Sequence, residues 1–456
     1  MRVLAERLRA AQRRLGPFWW HSALMFVASR CGDVLHVVVG LFLVPRHVPE
    51  EQLGAVLPLL SLGVFFSVPL TAAARTTARY VTEFRVAGER GRIRAIVRDL
   101  MRLSVLVSAC GIAIVWFGQS FLAARLQFEG RAVPLLVGGL IVLSSWLPVL
   151  KLANQGMGHY YRISASLPLA AVSRLILALV LLRLWKLEGY LAAMLLGGLA
   201  VSLFLGRGLR ACFARDVRPV SNRALLAEAN RYFLPTLLLT GLFAFQALME
   251  PWIIRQRLPF EESAAYYLAT RFGMIPAYLS APLVAFLFPM VSERHDRGQA
   301  TRGLKWQSLL AVAATGLLVA VGLALFGERL LGLTSDWRPY RAYASLLWQT
   351  ALIATGTSLI ALYATHETAC RRFAFLWVAA PVVLLEIGGL YSLMGWSFFR
   401  PYLPASVWAA VDGWIRRDIG FIVAAMLAAR AVTLLGMAAL AFRRPKHGSE
   451  SRGPSA

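Results

Sequence analysis

The sequence predicts an all-α polytopic membrane protein of about twelve spans, and three observations carry that expectation. Of its 456 residues, 58% are hydrophobic and only 16% are charged. The mean hydropathy is +0.61, the composition of a chain dissolved in lipid. Long apolar runs recur from end to end, each able to cross a hydrocarbon core of about 30 Å at a rise of about 1.5 Å per residue. Lys and Arg collect in alternate gaps between those runs, as they do when the cytoplasmic loops of a polytopic chain are counted.

The spans are expected near 18–45, 53–84, 99–124, 131–153, 165–185, 188–209, 230–255, 263–291, 305–333, 342–366, 373–395 and 418–442. The basic residues favour the N-terminus, the gaps after spans 2, 4, 6, 8 and 10, and the tail. Arg90, Arg92, Arg94 and Arg98 mark one such gap, and Arg207, Arg210, Arg215, Arg218 and Arg223 another. Both termini are therefore expected in the cytoplasm. The start, 1–17, sets Val3, Leu4, Leu8 and Leu15 against Arg2, Arg7, Arg9, Arg13 and Arg14. It has the pattern of a helix lying on an anionic leaflet. A cleaved signal is not expected, because the following run is too long and carries charge. The outward-facing gap 395–417 is rich in Trp, Phe and Tyr, as interfacial segments are, and the polar tail 443–456 is expected to be disordered.

The formal net charge of +25 does not indicate nucleic-acid binding, since the cations are spread through short gaps and not gathered on one domain or arm. Cys31, Cys110, Cys212 and Cys370 lie in or beside spans without metal-ligand or redox spacing. No metalloprotease, nucleophile-elbow, nucleotide-loop or acidic metal motif is present, so neither an enzyme nor a cofactor is expected.

A weak internal repeat divides the chain. PEEQLGAVLPLL near 49 is echoed by FEESAAYYLAT near 260, and TEFRVAGERGR near 82 by SERHDRGQATR near 292. Glu50 then corresponds to Glu261 and Gly88 to Gly298, offsets of about 210 residues. Six spans per half is an even number, so both halves enter from one side. Two six-helix bundles, 18–212 and 230–442 around a cytoplasmic linker 213–229, are expected to be related by a parallel pseudo-twofold repeat, with a cavity between them.

Six ionisable residues lie deepest in their spans: Arg30, Asp33, Arg174, Arg271, Glu386 and Arg430. A charge at that depth costs several kcal/mol unless it faces protein or water, so each is a candidate for function. Four are arginines, whose fixed charge and forked donors suit phosphate oxygens. In span 1, Arg30, Asp33 and His36 share an arc of about 120°. The blander reading pairs Arg30 with Asp33 to pin helices. Arg75 and Arg79 share one face of span 2 and are candidates at an entrance or as snorkelling anchors. Glu386, which can stay protonated in an apolar bundle, and Glu250 are candidates for ion coupling. His366, Glu367, Arg371 and Arg372, at a cytoplasmic helix end, are expected to be interfacial.

Residues 264–298, AAYYLATRFGMIPAYLSAPLVAFLFPMVSERHDRG, resemble the signature helix of the bacterial polysaccharide flippases. The matching positions are Tyr266, Tyr267, Arg271, Pro276, Pro282, Pro289, Ser292 and Gly298. AsnGlnGlyMetGly at 154–158 and RYFLP at 231–235 resemble further fragments of that family, and Glu250 followed by Pro251 departs from its pattern. These O-unit and exopolysaccharide flippases are relatives of the lipid II flippase MurJ and of multidrug exporters of the same superfamily. The resemblance implies a flippase of the bacterial inner membrane. It would carry a polyprenyl-diphosphate-linked oligosaccharide from the cytoplasmic to the periplasmic leaflet by alternating access, beside the glycan polymerase and glycosyltransferases of its pathway. The rival readings are an ion-coupled exporter of small organic cations, which needs an acidic cavity, and a membrane glycosyl- or acyltransferase, which needs an acid or His at a wet interface.

Overall fold

A bilayer core offers backbone groups no water, so a spanning chain must satisfy its own N–H and C=O groups within helices or a closed barrel. This chain chooses helices. The computed structural model describes residues 27–128, 130–210, 223–370, 372–394 and 419–443, and among them every regular element is a helix. The expected surface segment 1–17, the first residues of span 1, the linker up to 222, the aromatic segment 395–417 and the tail from 444 lie outside the described residues. So do the side chains of Arg75 and Arg79, although their backbone is helical.

The helices in order are α1 (Val27–His47), α2 (Glu50–Phe66), α3 (Val68–Val86), α4 (Arg90–Phe117), α5 (Gln119–Leu126), α6 (Val133–Gly156), α7 (Tyr160–Arg207) and α8 (Arg223–Arg257). Then come α9 (Phe260–Gly273), α10 (Ile275–Asp296), α11 (Arg302–Leu331), α12 (Ser345–Ala369), α13 (Leu376–Met394) and α14 (Ile419–Arg443). Eight described helices are long and apolar enough to cross a membrane, nine if the bent pair α2–α3 counts as one span. The twelve expected spans are compatible with these helices if three depart from straight rods and the shorter apolar helix α13 counts as one more. Span 2 bends by 44° between α2 and α3. Spans 5 and 6 are the two legs of α7, which turns at Trp185 and Lys186, where Lys186 has φ 47°. Span 8 is interrupted between α9 and α10.

The chain divides into two compact units, one comprising residues up to Arg271 with Leu333–Tyr340, the other Phe272–Gly332 with residues from Arg341. The division falls inside span 8 rather than in the 213–229 linker. The reason is packing: α8 lies against α2, α3 and α5, and so belongs with the first six spans. In the first unit α6 is central, packed by α2, α3, α4 and α7; in the second α12 is central, packed by α10, α11 and α14.

The echo in sequence has a counterpart in backbone geometry. Leu53 N–H donates to Pro49 O at 2.9 Å where α2 starts, and Ser263 N–H donates to Pro259 O at 3.0 Å where α9 starts. At the other ends, Gly88 (φ 74°) and Gly298 (φ 69°) occupy the left-handed region that favours glycine. Gly88 N–H bonds Arg85 O and Glu89 N–H bonds Phe84 O; Gly298 N–H bonds His295 O and Gln299 N–H bonds Arg294 O. Both are glycine-terminated helix ends of one design. The structural offset is 210 at both ends, which aligns Glu51 with Glu261.

Candidate functional site

The first unit assembles its polar groups along one stripe of α1. Asp33, His36 and Gly40 recur at helical spacing, so they face the same way. Gly32 beside them packs on α7, 3.5 Å from the Leu167 carbonyl oxygen to a built Cβ. At the first step Arg30 Nη2 lies 2.8 Å from Asp33 Oδ2, both side chains about a quarter exposed. One turn on, Arg174 from the middle of the first leg of α7 brings its Nη1 against the His36 ring, 2.6 Å from Nδ1 and also beside Nε2. One further turn on, Arg271 from α9 lies over Gly40, where a Cβ would come 3.2 Å from its Cδ.

Span 1 loosens at this point. Val39–Leu43 is a π-helical turn, and such turns are frequent at functional sites because they release carbonyls from the regular ladder. Side chains from elsewhere in the unit take up two of these carbonyls. Tyr267 donates its hydroxyl to Gly40 O at 3.1 Å, and the Trp337 indole N–H donates to Leu41 O at 2.8 Å. The Tyr267 ring also carries the Arg271 guanidinium, 4.9 Å from its centroid.

Lys151 of α6 adds a third cation within electrostatic reach of Arg174. Its side chain keeps accessible surface although protein surrounds it on most sides, as for a group lining a recess. Arg174 and Arg271 thus come from two helices to meet the α1 stripe, and Lys151, from a third, lies within electrostatic reach of Arg174. Of the sequence candidates, Arg30, Asp33, Arg174 and Arg271 share this region. Lys151 is the member that sequence reasoning did not single out, and a lone Lys interrupting LPVLKLAN was the available signal. His36 was placed on the polar arc of span 1 and Tyr267 among the signature positions, neither as a binding residue. Glu250 is buried near the end of α8 in the same unit.

Where α2 and α9 begin and α8 ends, a different cation is held by carbonyls. Arg255 is 1% exposed. Its Nε donates to Leu126 O at 2.8 Å and its Nη2 to Gln127 O at 3.1 Å and to Glu51 O. The Phe260 ring lies 4.6 Å from the guanidinium carbon. Nearby, burial and the carboxylates of Glu50, Glu261 and Glu51 push the Tyr340 phenol well above its ordinary range, so it stays neutral.

The second unit treats its ionisable groups otherwise. Glu386, 7% exposed, accepts from Nη1 of Arg430, 5% exposed, and Arg430 Nε donates to Thr357 Oγ1 at 3.4 Å. The three residues stand within one residue of the midpoints of α13, α14 and α12, so the pair sits at mid-membrane depth. The Arg430 stem packs on Gly356, whose built Cβ would lie 3.0 Å from it. Near the loop end of α12, Lys305 Nζ donates to Glu367 Oε1 at 3.3 Å, and His366 Nδ1 lies 3.3 Å from the same oxygen. His366 and Glu367 are therefore buried, 3% and 2% exposed, and not interfacial as expected. Lys305 from α11 supplies the countercharge that makes this burial tolerable. Arg372 is exposed, and Arg371 lies outside the described residues.

No protein-family model and no curated sequence matches the chain. Solved structures do match in fold. An inward-facing multidrug resistance MATE family transporter of the MOP superfamily superposes with TM-score 0.64 at 13% identity, covering 92% of this chain and 99% of the other. The lipid II flippase MurJ in an inward closed conformation gives TM-score 0.61 at 12% identity, covering 92% and 86%. A MOP superfamily transporter from Pyrococcus furiosus, described by the reverse polarity of its binding pocket, gives 0.55 at 13% identity over 92% and 94%. At such identities the likeness establishes the fold, which is that of the MOP superfamily transporters, MATE exporters and MurJ included.

Proposed function

We propose that this chain, built on the transporter fold, is a flippase for a polyprenyl-diphosphate-linked oligosaccharide, acting in cell-surface polysaccharide biosynthesis. The observation that carries the reading is the meeting of Arg174 and Arg271 on the polar stripe of α1, with Lys151 within electrostatic reach of Arg174. Cations brought close together repel one another, and a bound anion relieves that repulsion. Guanidinium forks match phosphate oxygens in pairs, and the lipid tail can remain in the bilayer while the headgroup passes. A diphosphate diester carries about two negative charges, and each is worth about 2.3 kcal/mol per 100 mV. With the cell interior negative, outward movement is downhill and needs no nucleotide. The setting that follows is the bacterial inner membrane with both termini cytoplasmic, beside the polymerase and glycosyltransferases of the pathway.

An exporter of organic cations, the alternative on this fold, is disfavoured by the same cluster, because its positive potential repels such a substrate. The test is a proteoliposome assay. Protein in vesicles with an interior-negative potential should move a fluorescent polyprenyl-diphospho-oligosaccharide outward, and the Arg174→Ala/Arg271→Ala variant should not. Transport of an organic cation with no movement of the lipid-linked glycan would replace this reading with the alternative.

A further inference from the structure

His36 stands where the anion would arrive, and its surroundings give it a part to play. Arg174 from α7 approaches the ring edge that carries both nitrogens, with 2.6 Å to Nδ1. A guanidinium has donors only, so a ring nitrogen that accepts from it must be unprotonated. Arg271 from α9 acts on the same ring electrostatically. On its own helix, Asp33 is engaged by Arg30. On α6, Lys151 borders Arg174.

An oxyanion seated between Arg174 and Arg271 changes both terms of this arrangement. It draws the Arg174 donors to itself, which releases the imidazole lone pair. It also places negative charge beside a ring that otherwise faces cations. A proton on His36 then makes a third charged donor to the anion where, in the empty site, it would add a third cation to two guanidiniums. We propose, resting on the flippase reading, that His36 is a substrate-binding residue that takes up a proton as the site binds a phosphate or diphosphate oxyanion. Proton and anion binding are thereby linked, each strengthening the other.

A diphosphate diester suits the test, because it has no weakly acidic proton to lose near neutrality and its charge stays constant. The probe is geranylgeranyl-diphospho-N-acetylglucosamine, titrated into the purified full-length protein in detergent. Calorimetry at pH 7.5 in buffers of different ionisation enthalpy should show uptake of a substantial fraction of a proton per probe bound. Affinity should rise by more than about tenfold from pH 8.5 to 5.5. His36→Gln should lose both the proton uptake and the pH slope of affinity. Binding without proton uptake, or a His36→Gln variant that keeps the wild-type slope, overturns the role of His36 while leaving the flippase reading intact. Failure of the wild type to bind the probe at any pH overturns both.

Discussion

The two units hold ionisable groups at membrane depth in opposite ways. In the second, Arg430 is bonded to Glu386 and Lys305 to Glu367, each cation meeting an acid across a helix interface. In the first, beside the Arg30–Asp33 pair, Arg174 and Arg271 meet at His36 and the loosened turn of α1. A buried acid–base pair is a closed arrangement: it satisfies its own charges and leaves nothing to recruit a ligand. Cations brought close together repel one another, and an anion placed among them relieves that repulsion. On the proposed function, recognition falls to the first unit and the packing of helices to the second.

The largest expected effect tests the closed half of this contrast. Arg430→Ala or Glu386→Ala strands one buried charge, at a cost of about 3–5 kcal/mol. It should appear as lost membrane abundance and a lower melting temperature in detergent. The double variant Glu386→Leu/Arg430→Met removes both charges and should recover most of the stability. A stable double variant that transports nothing would break the comparison, because the pair would then belong to the transport cycle.

The open half should respond in the other way. Arg174→Ala and Arg271→Ala are each expected to lower transport more than tenfold with abundance near wild type, as read by vesicle flux and immunoblot. Arg→Lys at either position keeps the charge but loses the fork, and should retain partial activity. Loss of abundance in place of flux would make these residues scaffold as well.

Arg255 offers a third case, a cation closed off by carbonyls and not by an acid. Arg255→Met leaves the carbonyls of Leu126, Gln127 and Glu51 without their donor, an expected cost of about 2–3 kcal/mol. Thermal unfolding should detect this while probe affinity stays unchanged. A loss of affinity at constant stability would extend the recognition region to Arg255.

The smallest expected effect compares the units as repeats. Gly88→Ala and Gly298→Ala each force an L-residue into left-handed backbone, at about 1–2 kcal/mol. Gly303→Ala, in open space on α11 with ordinary φ, should change stability by less than about 1 kcal/mol. Unequal costs at 88 and 298 would mean that the two helix ends have diverged in structural weight.

Much of the fold was legible because its signals are local. Arg30 and Asp33 are three residues apart on one helix, so their ion pair could be read from spacing alone. Gly88 and Gly298 announced matching helix ends through the charged turns that flank them. His366 and Glu367 were misjudged because their depth depends on Lys305, more than sixty residues earlier, reaching over from α11. Arg430 and Glu386 were both singled out for their depth, yet nothing along the chain indicated that they meet.

Sequence by itself determined that this chain is an all-helical membrane protein with many apolar spans, and that its deepest charges are mostly arginines. Those are properties of composition and run length, which the thickness and low dielectric of the bilayer impose on any chain that spans it. Only the tertiary structure decided which charges face one another, where span 8 breaks, and that α8 packs with the first unit. These depend on which side each helix turns toward its neighbours, a choice made by side-chain packing between segments far apart in sequence.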